Sequence, residues 1–197
     1  MQNISDIKEK YKVGTKLRLK EDLKDDYRTI KAGEKCIVEH IDDIGTIHVV
    51  WENGSTLGLL TDIDNFEIIE KIKIVMVEVN KKPYVKIIDN TLEDKQALVG
   101  GNIQSVPTLL PNFHSFDFIC NEDGKSDGLP FNRYIFNNRD AIAGDFIAIK
   151  FNKSTGDYIT MTDEEAKLLC EEIEKECPVF NYVDYFKDNF ELEVIEI

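Results

Sequence analysis

Residues 72–79 constrain this chain more than any other stretch. Ile72, Ile74, Val75, Met76, Val77 and Val79 form a nearly unbroken apolar run. A strand apolar on both sides must be covered on both faces, so a sheet with layers above and below it is required. Asn80-Lys81-Lys82-Pro83 turns the chain into a second strand over 84–88. Thr91 with Asp94 three residues on opens a short helix, and Gly100 and Gly101 stop it. Further strands are predicted over 103–106, 116–120 and 146–151. Thr162 with Glu165 forms a capping box for a second helix, in which Ala166, Leu169, Cys170 and Ile173 share one face. Pro178 ends that helix, and Phe190, Leu192 and Val194 suggest a last strand. The order β-β-α-β-β-β-α-β predicts an α+β domain over 71–197, with two helices on a mixed sheet.

The preceding seventy residues read differently. Ile37, Glu39 and Ile41 alternate with Val38 and His40, and Ile47, Val49 and Trp51 alternate with His48, Val50 and Glu52. Leu17 and Leu19 alternate with Arg18 and Lys20, and Asn53-Gly54 favours a tight hairpin turn. With strands over 57–60 and 66–69, five short strands predict a small SH3-like β-barrel over residues 1–70. Lys10, Lys12, Lys16 and Lys20 read as a solvated, aggregation-resistant strand edge or as a binding edge. The chain shows no internal repeat.

Charge narrows the function. The 197 residues carry a net charge of −14, which argues against a duplex nucleic-acid binder. Residues 71–150 balance 10 basic against 10 acidic side chains, whereas residues 151–197 hold 4 against 13. An anion site is therefore sought in the middle segment. No apolar run reaches the ~20 residues of a membrane span, and the amino terminus has no apolar core of a signal peptide. Cys36, Cys120, Cys170 and Cys177 show no CxxC spacing, so a reduced, cytoplasmic protein is expected. Cys36, His40 and His48 lack a fourth ligand in usual zinc spacing, so no metal or other cofactor is expected.

The densest polar punctuation runs from Cys120 to Asp145. Asn121, Glu122 and Lys125 are followed by Pro130, Asn132 and Arg133. Asn both donates and accepts, Arg offers a planar fork and Lys a point charge, which together suit a base or ribose edge plus a phosphate. In this reading Lys125 and Arg133 hold phosphate, Asn121 and Asn132 the base or ribose, with Gly100-Gly101 as a neighbouring turn. The other reading is a long hairpin in which the asparagines cap turns and Glu122 pairs Arg133. Both stand open. No GxxxxGK[ST], HExxH or CxxC occurs, and His114 has no nucleophile beside it in sequence. Glu122 with Asp145 forms a carboxylate pair of a kind common on hairpins.

Val99-Gly100-Gly101-x-Ile103, Asn121-Glu122-x-Gly124-Lys125, Leu129-Pro130-x-Asn132-Arg133 and Ile142-x-Gly144 together resemble a domain of unknown function. That domain occurs in phages and conjugative elements of Gram-positive bacteria. Asp42-Asp43-x-Gly45-x-Ile47-x-Val49-x-Trp51-x-Asn53-Gly54-Ser55 resembles a second small domain from the same elements. The resemblance implies a mobile-element accessory protein in the host cytoplasm. With the neutral middle segment, the first expectation is sequestration of a small nucleotide-like ligand, a host immune signal, in an enclosed pocket or one shared in a homo-oligomer. The alternative is an acidic nucleic-acid mimic that blocks a host defence protein, on the strength of the carboxy-terminal charge. A nucleotide-degrading enzyme is a third class, needing a general base and usually a metal.

Overall fold

The computed structural model describes residues 3–24, 28–108, 110–136 and 139–182. The chain divides into two compact units, Met1–Glu70 and Lys71–Ile197. Both mix helix and sheet, so the fold is α+β.

In the first unit, α1 (Ile4–Lys10) starts where Asn3 accepts from the Ser5 amide. The strands are β1 (Lys16–Leu19), β2 (Leu23–Lys24), β3 (Thr29–Ile30), β4 (Lys35–Ile41), β5 (Ile47–Trp51) and β6 (Phe66–Ile68). Four of them form an antiparallel sheet in the order β5-β4-β1-β6, and β2 pairs β3 separately. Trp51 and Leu17 fill the core beside Ile47 and Leu59, and the Trp51 indole N–H donates to the Leu57 carbonyl at 2.6 Å. Residues 57–60 do not form the expected strand. Only Leu59 pairs, through an isolated bridge to Ile47, and no sheet closes into a barrel among the described residues. A Cβ on Gly58 would stand 2.8 Å from the Thr46 side chain, so glycine allows this close crossing at the cost of strand character. Lys16 does not lie at an edge. Its strand, β1, sits between β4 and β6, and the Lys20 amide just beyond donates to the Asn65 carbonyl.

The second unit holds β7 (Lys71–Val77), β8 (Tyr84–Asp89), α2 (Leu92–Val99), β9 (Ile103–Pro107), β10 (Phe116–Asn121), β11 (Phe131–Ile135), β12 (Asp140–Ala143), β13 (Phe146–Phe151), β14 (Tyr158–Ile159) and α3 (Asp163–Glu176). The antiparallel sheet runs β8-β7-β13-β10-β9, with β14 on β13. β7 is covered on both faces as its composition requires. Ile72, Ile74 and Met76 cluster with Leu98 of α2, whereas Val75 and Val77 cluster with Ala166, Leu169 and Ile173 of α3. Thr91 caps α2, and Gly100 ends it at φ 77°, a left-handed turn that glycine adopts without a Cβ clash. The Thr162–Glu165 capping box is fully formed on α3. The β11–β12 hairpin packs Ile135 and Ile142 on the α3 side of the sheet. The strand expected around Phe190 lies outside the described residues. No helix among the described residues is long and apolar enough to cross a membrane.

Candidate functional site

Asn121 closes β10 and is nearly buried. Its Oδ1 accepts from the Asp123 amide at 2.9 Å, and its Nδ2 donates to the Gly100 carbonyl at 3.2 Å. Gly101 packs directly on it: a Cβ there would stand 2.6 Å from Asn121 Nδ2. This turn thus braces β10 from behind. Beyond Asn121, successive turns through Gly124 and Leu129 carry the chain into β11.

Between β9, the end of β10 and the β11–β12 hairpin lies a cleft of about 480 Å³. Asn121, Glu122 and Lys125 line it. Gln104 of β9 adds its amide, and Phe136 and Ile135 add an apolar wall; the hydroxyl of neighbouring Ser105 instead donates to Asp117 Oδ2 at 2.8 Å. Phe136 sits at φ 53°, in the left-handed region that a bulky side chain adopts only under constraint. Asp140 stands opposite Lys125, with Nζ and Oδ1 2.5 Å apart. Cys120, also at the wall, is pushed above the usual thiol range by burial, with Lys125 only partly opposing, so it stays protonated and unreactive at neutral pH.

The structure does not bring Asn132 and Arg133 to this cleft. Both lie in strand β11, where a loop was expected, and are 1% and 5% exposed. Asn132 Nδ2 donates to the Val77 and Gly144 carbonyls at 3.0 and 2.9 Å. Arg133 donates to the Lys81 carbonyl at 2.7 Å. Burial lowers the Arg133 pKa, while nearby Cys177 and Glu174 oppose that shift. Asn132 Oδ1 and Arg133 Nε have no hydrogen-bond partner among the described residues. Asn132 ties the hairpin to the end of β7 and Arg133 ties it to the β7–β8 turn, and a bulge between Phe131 and Arg133 lets consecutive residues point inward. No ion pair joins Glu122 to Arg133 among the described residues. Pro130 is exposed, and its carbonyl accepts from the Gly144 amide. Asp145 Oδ1 accepts from the Val79 amide at 2.8 Å, and Asp145, unlike Glu122, does not line the cleft.

Sequence reasoning passes over several lining residues. Gly124-Lys125-Ser126-Asp127-Gly128 spells G-x-S-x-G. The motif signals a nucleophile only on a strand-to-helix elbow beside a histidine. Here it forms turns between two strands, and Ser126 Oγ donates to the Asp123 carbonyl at 2.9 Å. Gln104, Ser105 and Asp140 carry no local motif; only pairing of distant segments brings them to Lys125. His114 is exposed. Cys36 is buried in the core of the first unit, where desolvation pushes its thiol up to about 12. His40 and His48 stack with centroids 4.2 Å apart. No group of three or more His, Cys, Asp or Glu among the described residues is arranged to hold a metal ion.

Two family models match the chain. Residues 1–69 match a domain of unknown function, DUF4314. Residues 72–174 match a second, DUF3846. No curated protein and no solved structure matches. Since the second match covers more than half of the chain, including the whole cleft, the chain belongs to the DUF3846 family of domains of unknown function.

Proposed function

We propose that the second unit binds a small nucleotide-like ligand in the cleft between β9, β10 and the β11–β12 hairpin, without turning it over. One observation carries this reading: the cleft of about 480 Å³ is lined by Asn121, Lys125 and Gln104 together with Phe136. A base has polar edges and an apolar face, and this mixture of amides and aromatic side chain complements both. Lys125 is the lysine among the described residues lining the cleft, paired there with Asp140, and Arg133 serves the scaffold. Binding without chemistry is supported by the engagement of Ser126 and Asp145 with main-chain groups. In the phage or conjugative-element setting of the sequence resemblance, such a protein sequesters a host immune signal. The first unit is read as an SH3-like accessory domain, supported by its short antiparallel strands and the Ile47–Leu59 bridge.

Isothermal titration of the full chain against nucleosides, nucleotides and cyclic dinucleotides tests this. Saturable binding weakened by Asn121→Ala supports it, and no heat at high micromolar ligand rejects it. Ligand recovered intact after heat release separates a binder from an enzyme. Acidic mimicry draws separate support from α3, whose exposed Glu164, Glu171 and Glu174 face away from the buried Ala166, Leu169 and Ile173. Capture of a host protein in place of a small molecule would favour that reading.

A further inference from the structure

Resting on the nucleotide reading of the cleft, we infer that Asp140 determines specificity: it holds Lys125 and turns the site toward unphosphorylated nucleosides and against their polyphosphates. Lys125 is the sole lysine or arginine among the described residues lining the cleft, and two carboxylates, Glu122 and Asp140, line it too. The lining is therefore net negative before any ligand arrives. Lys125 Nζ lies 2.5 Å from Asp140 Oδ1, and that oxygen also accepts from the Ala141 amide at 2.7 Å, which fixes its direction. The pair joins the turns after β10 to the start of β12, across the cleft. A triphosphate entering here must pull Lys125 away from Asp140. It then faces two unpaired carboxylates with one cation to share. An uncharged nucleoside meets none of this, because Gln104 and Asn121 offer amides to its polar edges and Phe136 an apolar surface to its ring.

The test measures affinities of adenosine, guanosine, cytidine and uridine, and of their 5′-mono- and 5′-triphosphates, for the full chain. The wild-type protein should prefer the nucleoside to its triphosphate. Asp140→Asn keeps the oxygen that receives the Ala141 amide but removes the charge. It should shift the triphosphate-to-nucleoside ratio by about fivefold toward triphosphate, the scale of one half-exposed charge contact. That gain should fade with added salt and vanish in Asp140→Asn/Lys125→Gln. Lys125→Gln alone leaves Asp140 uncompensated and should worsen triphosphate binding while sparing the nucleoside, so the inference stays testable if Asp140→Asn folds poorly. A wild type that prefers triphosphate, or a ratio unmoved in Asp140→Asn and Lys125→Gln while binding persists, overturns the inference and leaves the nucleotide reading standing. Absence of binding by every ligand to every variant removes both.

Discussion

Burial disfavours the charge of Arg133, and what its side chain returns to the fold is a charged hydrogen bond and its packing. Its guanidinium holds the Lys81 carbonyl, so Arg133→Ala should lower stability by about 1.5–3 kcal/mol in urea denaturation. Arg133→Lys should not restore it, because an ammonium lacks the planar fork. Glu122→Ala should leave stability unchanged, and neither Arg133 variant should alter ligand affinity in the cleft. Reduced affinity at unchanged stability would return Arg133 to the ligand site. Gly101 makes the opposite kind of demand. Its conformation is open to any residue, so Gly101→Ala is penalised by the 2.6 Å approach to Asn121 alone. A cost of about 1–3 kcal/mol is expected, together with weaker ligand binding because Asn121 moves with the clash. In the first unit, burial pushes Asp42 upward, but hydrogen bonds from His48, Thr46 and Ile44 outweigh it and hold the carboxyl at about 2 rather than 3.8. A carboxylate depressed on folding stabilises above its unfolded value and loses that contribution as the folded form takes up its proton. Melting of this unit should therefore fall as pH drops from about 4 toward about 2, and Asp42→Asn should flatten that slope.

Helix ends were the most legible elements, because a cap is a local chemical event. Thr91 and Thr162 each accept from the amide three residues on, and Gly100 ends its helix as its sequence position implied. Thr162→Ala should accordingly cost about 1 kcal/mol by thermal denaturation, and Thr162→Ser little. The alternating strands β4 and β5 and the apolar β7 were also legible from period and composition. The β11–β12 hairpin was not. Its bulge breaks the two-residue alternation at Asn132, and polar side chains that read as a loop are buried there by carbonyls from β7 and the β7–β8 turn. For the same reason half of the expected site separated from the cleft. Asn121, Glu122 and Lys125 meet there through chain proximity, whereas Asp140, Gln104 and Ser105 reach them only through tertiary pairing. Very short pairs such as β2–β3 are too brief for any period to register.

At the scale of the molecule, the two units own separate cores: Trp51, Leu17 and Ile47 in one, and Phe146, Val75 and Leu169 in the other. A chain lacking residues 1–69 should therefore still melt in one cooperative transition by calorimetry, and a broad, non-cooperative melt would refute independent folding. The native cysteines make such behaviour measurable without any engineered labelling site. All four are free, and burial is the leading cause of each upward pKa shift, with Cys36 near 12 and Cys177 near 11. Alkylation requires thiolate and access together, so at neutral pH a maleimide reads transient opening instead of the resting fold. Cys36 clocks the first unit, Cys120 the cleft wall, and Cys177 the end of α3. Half-buried Cys170 supplies the fast reference, giving the native chain an internal stopwatch for motions in each part.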